Sequence, residues 1–170
     1  MTALSVGTAR AAAGKMKYGT WDLLAHPTGG VDQLPIIIAQ GDPKGPVIWF
    51  TSGLHGNEHA GLQVLHLLLD AKLIKKLHGT IVAIPALSPA GLRTVTRRPY
   101  YHDGDPNRIF PDGKPHPASD PDIDPPGPLE EAYGRLFEEI RDSATAWVDL
   151  HNAWTGSMSF IYRDRVFYRH

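Results

Sequence analysis

The stretch Val47-Ile48-Trp49-Phe50-Thr51-Ser52-Gly53-Leu54-His55-Gly56-Asn57-Glu58-His59-Ala60-Gly61 decides how the rest of the chain is read. Its β-branched and aromatic first part predicts a strand, and Gly53 and Gly56 predict a turn that carries a histidine and a glutamate three residues apart. From Gly61 to Leu77 apolar residues fall on nearly every helical face (Leu62, Val64, Leu65, Leu67, Leu68, Leu69, Leu73, Ile74), which predicts a helix largely buried against a sheet. Strand, turn and helix in that order make the repeating unit of an α/β domain, in which ligands gather beyond the carboxyl ends of the strands. The turn bearing His55 and Glu58 belongs at that edge.

Upstream, Leu34 to Gln40 is a second β-rich run. The cluster Gly41-Asp42-Pro43-Lys44-Gly45 has hairpin length, so this run and Pro46 to Thr51 are expected to lie side by side. Residues 1 to 15, alanine-rich at the start of the chain, are expected to be frayed or disordered. Downstream, Thr80 to Leu87 predicts a short strand, and Ser88 to Pro128 reads as a long loop whose first half is functional and whose last part, Asp120 to Pro128, is an acidic, proline-rich surface loop. Pro128 to Arg141 spaces Leu129, Ala132, Tyr133, Leu136, Phe137 and Ile140 as an amphipathic helix, with Pro128 at its entry and Glu131 and Arg135 as an i,i+4 pair. Thr145 to Leu150 predicts a buried strand ending in His151, and Ser157 to Arg163 a further strand. The expectation is one α/β domain over residues 1–170, a mixed, partly parallel sheet flanked by helices.

Composition narrows the function. A chain of 170 residues, 42% hydrophobic, is long enough for one core. A net charge of -1 gives no field that would draw it onto nucleic acid or an anionic membrane, which points to a small-molecule partner and leaves homo-oligomerisation open. The absence of cysteine removes disulfides, thiolate metal sites and cysteine nucleophiles, while nine histidines keep nitrogen and oxygen ligation available. No apolar run approaches membrane-spanning length, and the expected location is cytoplasmic.

The segment Trp147-Val148-Asp149-Leu150-His151-Asn152 repeats the form of the first, a strand ending in a histidine. If the two strands are parallel, His151 arrives at the edge that carries His55 and Glu58. Two imidazoles and a carboxylate are a common catalytic zinc set, and a cation so held activates water near neutral pH and polarises a carbonyl. Asp149 is placed to orient a ligand imidazole, although an aspartate at a strand end also reads as a turn residue. Each ligand has a plain alternative too, a packed histidine or a glutamate serving the helix dipole. His26, His59, His66, His78, His102, His116 and His170 read as structural or exposed. His55 to His59 also spells H-x-x-E-H, a pattern that needs both histidines and the glutamate on one helix; Gly56-Asn57 after a buried strand opposes that. No G-x-S-x-G elbow occurs, which sets a serine hydrolase aside.

Gly53 to Glu58, the loop Pro85 to Pro111 and Asp149-Leu150-His151 resemble the succinylglutamate desuccinylase/aspartoacylase branch of the zinc carboxypeptidase-like superfamily. The resemblance runs from Pro46 to about Arg163, with three motifs in the family's order. It implies the N-terminal portion of a zinc carboxypeptidase-like fold, one zinc ion on His55, Glu58 and His151, and hydrolysis of the amide bond of an N-acyl amino acid or similar carboxylate-bearing substrate. It implies a clamp for the substrate carboxylate at Asn107 and Arg108, which precede Ile109-Phe110-Pro111 as the family's Asn-Arg pair does, and guanidinium offers carboxylate a bidentate fork. Carbonyl polarisation is implied at Arg97, with Arg98 as the alternative. Ser88 stands where the family has asparagine and Pro106 where it often has leucine. The family's general-base glutamate lies well downstream of the last ligand and has no counterpart here. The alternatives are accordingly a catalytically incomplete metal- or ligand-binding remnant or fragment, or a zinc carboxypeptidase-type peptidase.

Overall fold

A computed structural model describes residues 3–70, 72–111, 126–152, 156 and 158–162. In chain order its elements are β1 (Leu4–Val6), β2 (Ala9–Ala11), β3 (Lys15–Ala25), β4 (Val31–Gln40), β5 (Val47–Ser52), α1 (Ala60–Leu68), β6 (Thr80–Ile84), α2 (Pro89–Thr94), α3 (Pro128–Ser143) and β7 (Ala146–Leu150). Single turns of 3₁₀ helix add Leu73–Lys75 and Pro106–Arg108. The main sheet has the order β3-β4-β6-β5-β7, and β1 pairs with β2 as a separate two-stranded ribbon. Strands β5, β6 and β7 run parallel to one another, while β4 is antiparallel to both β3 and β6. The sheet is therefore mixed and partly parallel, as the strand and helix patterning predicted.

Side-chain alternation explains the layers. Along β4, Leu34, Ile36 and Ile38 enter one cluster and Ile37 and Ala39 the other; along β6, Val82 and Ile84 divide from Ile81 and Ala83 in the same way. Central strands buried on both faces need apolar residues at every position, which is why Leu34 to Gln40 carries no polar alternation before Gln40. One face packs against α3 through Leu129, Ala132, Tyr133, Leu136 and Ile140 and against Val6, Ala9 and Ala11 of the ribbon. The other face packs against α1 through Leu65 and Leu69.

Several expectations are corrected. The cluster at 41–45 closes no hairpin, because β6 inserts between β4 and β5. Gly41 N donates to Gly79 O, Asp42 N to Leu77 O and Thr80 N to Pro46 O, so the segment is stitched to the entry of β6 and crosses it. A turn-rich stretch of hairpin length specifies a reversal, and the partner is then chosen by the sheet. Where fraying was expected over residues 1 to 15, the described residues form β1 and β2, and Lys15 begins β3. The helix after Gly61 stops at Leu68, and only Gly61 and Leu65 of it are buried, with Val64 and Leu67 exposed. Arg135 turns from its helix to the sheet, donating to Leu23 O at 2.9 Å and lying over the Trp21 ring. The predicted long loop contains α2 and the turn at Pro106, while most of its acidic end lies outside the described residues. Of the strand expected over 157–163, residues 158–162 are not in a strand, and 157 and 163 lie outside the described residues. No described helix is long and apolar enough to cross a membrane.

Where β5 gives way to α1, the backbone of Gly56 lies directly on that of Gly91 in α2, and a Cβ there would fall on the Gly91 carbonyl group. Gly134, inside α3, has nothing within 4 Å of its Cβ position. Gly56→Ala should accordingly lower stability by about 1–3 kcal/mol in urea unfolding. Gly134→Ala should raise it by about 0.5–1 kcal/mol through helix propensity.

Candidate metal centre

Parallel strands deliver three loops to one edge. The β5–β7 register pairs Thr51 with Asp149 and Ser52 with Leu150, so the chain leaves both strands at the same level. Beyond β5, Gly53 takes the left-handed conformation (φ 64°), and Glu58 N donates to His55 O at 3.1 Å. That tight turn brings the His55 and Glu58 side chains together ahead of α1, which begins only at Ala60. Beyond β6, Leu87 N and Ser88 N donate to Ser52 O and Gly53 O, fastening the third loop beside the first.

His55, Glu58 and His151 come together, with one potential ligand atom of each lying within 4.8 Å of the others. Glu58 occupies the middle: Oε1 lies 2.6 Å from His55 Nδ1, and Oε2 lies 2.9 Å from His151 Nδ1. Asn152 N donates to the same Oε2 at 2.9 Å. The opposite nitrogens are also engaged, His55 Nε2 with Asp105 Oδ1 at 2.9 Å and His151 Nε2 with Asp149 Oδ2 at 2.7 Å. Each imidazole thus bridges two carboxylates, Glu58 at Nδ1 and an aspartate at Nε2; with the proton on the aspartate side, Nδ1 would offer its lone pair to a cation held beside Glu58. The donor set of two such imidazoles and a carboxylate fits a divalent cation of the zinc type.

Asp105 and Asp149 are anchored in turn. Burial opposes the charge on Asp105, but hydrogen bonds from Arg97, Asn107 N and His55 outweigh it and hold the carboxyl well below the usual carboxylate range. The Asp149 hydrogen bond raises the pKa of His151; burial lowers it by less, and Glu58 adds to the rise. Asp149 Oδ1 accepts from Thr51 Oγ1 at 2.6 Å, and Trp147 Nε1 donates to the same hydroxyl at 2.8 Å. Asp149 and His151, two residues apart, leave the strand on one face, so strand geometry itself aims the carboxylate at the ring.

The clamp candidates lie next to this cluster. Asn107 and Arg108 are exposed on the 3₁₀ turn that Asp105 caps, Asn107 N donating to Asp105 Oδ1 at 2.9 Å and Arg108 Nη1 to Asn107 O at 3.0 Å. Of the two upstream arginines, Arg97 reaches the cluster, with Nη2 2.8 Å from Asp105 Oδ2 and Nη1 3.4 Å from Glu58 Oε1. Arg98 turns away and donates to Asp103 O. His59 Nε2 lies 2.9 Å from Gly56 O and stands outside the cluster, as the turn preceding α1 demands.

A His-Glu turn after one strand, a histidine after its parallel neighbour and an Asp-Pro-Asn-Arg turn beside them coincide with a family model, the succinylglutamate desuccinylase/aspartoacylase catalytic domain, which matches residues 44–169. The chain belongs to that family. Among solved structures it is similar to a succinylglutamate desuccinylase/aspartoacylase from Rhodobacter sphaeroides, with 24% identity, TM-score 0.63, and coverage of 80% of this chain and 39% of that one. A succinylglutamate desuccinylase from a Silicibacter species gives 19% identity and TM-score 0.62 over 87% and 44%. A carboxypeptidase A-like protein of Shewanella denitrificans gives 16% and 0.58 over 80% and 35%. These likenesses establish the carboxypeptidase-like fold. The chain spans about two fifths of the length of these structures. No curated protein matches it in sequence.

Sequence reasoning left Asp105 in the loop without a partner and did not single out Thr51 or Trp147. The signal for Asp105 was its place before Pro106, where an aspartate caps a short helical turn and its carboxylate is brought beside Asn107. In this desuccinylase/aspartoacylase-family chain Thr51→Val removes both the donor to Asp149 and the acceptor of the Trp147 indole N–H. It should cost about 1–3 kcal/mol in urea unfolding of the metal-free protein.

Proposed function

We propose that His55, Glu58 and His151 hold one zinc ion, and that the chain forms the metal-binding part of a deacylase. The reaction is hydrolysis of the amide bond in an N-acyl amino acid or similar substrate with a free carboxylate. One observation carries this reading: both imidazoles turn Nδ1 to Glu58 while their Nε2 atoms are held by Asp105 and Asp149. Three carboxylates, Glu58, Asp105 and Asp149, converge on the two imidazoles with Arg97 beside them, an excess of acidic groups that suits a divalent cation. Zinc bound there supplies carbonyl polarisation and activation of water near neutral pH.

The chain's own residues divide the remaining work. Arg97 stands beside Glu58 at the edge of the cluster, where a guanidinium stabilises negative charge developing on a carbonyl oxygen. Asn107 and Arg108 take the substrate carboxylate through charge-assisted hydrogen bonds, and their exposure on a capped turn leaves them free to do so. Glu58, Asp105 and Asp149 are each committed to an imidazole, so the general base comes from outside these three. That favours, as a second reading, a zinc- and carboxylate-binding unit with weak turnover of its own.

Zinc titration followed by metal analysis tests the assignment. The unsubstituted chain should bind one equivalent, Ala at His55, Glu58 or His151 should abolish binding, and His59→Ala should retain it; loss in His59→Ala with retention in His151→Ala would reverse the ligand set. Arg108→Ala should keep zinc and weaken carboxylate-bearing ligands by about 1.5–3 kcal/mol, the worth of a hydrogen bond to a charged group. Equal weakening toward ligands lacking a carboxylate would make Arg108 a brace for its loop.

A further inference from the structure

Strand β4 runs antiparallel to β6, so its first residues stand at the same sheet edge as the carboxyl ends of β5, β6 and β7. Asp32 sits there, 5% exposed, paired with Leu24 on the turn side of the β3–β4 bulge. Its Oδ2 accepts a hydrogen bond from the Tyr101 hydroxyl at 2.6 Å. His26 Nε2 lies 3.4 Å from the same oxygen and Arg93 Nη1 3.7 Å from Oδ1, so the tyrosine makes the close contact. The Tyr101 ring meets His26 edge-on with centroids 4.9 Å apart, which seats it against the β3–β4 hairpin. Polar atoms buried this deeply need hydrogen-bond partners, which makes the site demanding about where Tyr101 lies.

Tyr101 lies midway along the segment that bears the site's polar groups. Arg97 Nη2 closes on Asp105, Arg98 donates to Asp103 O, His102 N to Pro99 O and Thr96 Oγ1 to Arg98 O, so residues 96–105 form one cross-braced loop. Among the described residues, and apart from its chain ends, that loop hydrogen-bonds to the body of the protein at two places. One is Asp105 and Arg97 on His55 and Glu58; the other is Tyr101 on Asp32. A braced loop fixed at two points has little freedom to rotate about either, and misplacement of about 1 Å at a binding group is costly.

We propose that Asp32 and Tyr101 are positioning residues: their hydrogen bond latches the 96–108 loop to the β3–β4 hairpin and thereby sets the placement of Arg97, Asp105, Asn107 and Arg108. The positioning role rests on the functional reading given above, whereas the latch itself is a property of the metal-free fold. Tyr101→Phe keeps the ring packing and deletes the donor. Asp32→Asn is the conservative partner, since its carbonyl oxygen still accepts from Tyr101.

The test combines amide hydrogen exchange on the metal-free chain with titrations of zinc and of N-acetylglycine on the zinc-loaded chain. Tyr101→Phe should raise exchange across 96–108 and weaken N-acetylglycine by about tenfold, the scale of one hydrogen bond to a charged group, with a smaller loss for zinc. Asp32→Asn should stay close to the unsubstituted chain in all three. Unchanged exchange in 96–108, or a rise shared equally by β5 and β6, overturns the latch. Raised exchange with unchanged affinities overturns its role in positioning the site. Failure of the unsubstituted chain to bind zinc overturns the functional reading instead, and the exchange profile still decides the latch.

Discussion

Glu58 lies between two imidazoles that come from strands β5 and β7, and the site depends on the parallel register that makes this contact possible. Thr51 opposite Asp149 fixes the level at which the two chains leave the sheet. A slip of one residue would send His151 and Asp149 to the other face, away from Glu58 and from the Thr51 hydroxyl. The register is itself held by burial: Trp49 and Trp147 face the α3 side, while Phe50 and Leu150 pack with Leu65 and Leu69 on the α1 side. The hydrophobic core thus determines the separation of polar groups several residues beyond the strand ends. Core and site are linked through strand geometry rather than through direct contact.

The same geometry gives each imidazole a carboxylate on its far nitrogen, by two different routes. For His151 the carboxylate comes from its own strand, two residues back, and is steadied by the neighbouring strand's hydroxyl. For His55 it comes from a loop fifty residues on, where Arg97 holds that carboxylate with two hydrogen bonds. The local route costs little conformational entropy beyond forming the sheet. The remote route requires a long loop to be ordered, and the capped turn, the internal braces and the tyrosine contact with Asp32 all serve that end.

These two routes also account for what could be read in the sequence. The strand-turn-helix at 47–61 and the strand ending in His151 were legible because hydrophobic runs and glycine placement are local signals, and their parallel alignment brings His55, Glu58 and His151 together. Asp149 was legible as a candidate for the same reason. Asp105 was not, since nothing within a few residues of it reveals that His55 lies opposite. The hairpin expected between Gln40 and Pro46 failed because turn residues encode a change of direction without encoding which strand is met afterwards. Strands β1 to β3 were missed because their burial is supplied by contacts with α3 and β4, and the local pattern of Leu4 to Ala25 is weakly apolar and interrupted by glycine.

Exposure distinguishes the two imidazoles as much as their carboxylates do. His55 is 1% exposed and Glu58 9%, and both are set in a turn pressed against α2, whereas the His151 side chain is 31% exposed just beyond β7, the outermost of the described strands on that side. The rings are 5.0 Å apart and tilted by 59°. Close packing restricts the rotamers open to a buried pair, which favours one geometry with or without a ligand. A half-exposed residue on an edge strand can adjust. The hydrogen bonds of His151 Nε2 with the Asp149 carboxylate and of Asn152 N with Glu58 supply order at this corner that burial does not.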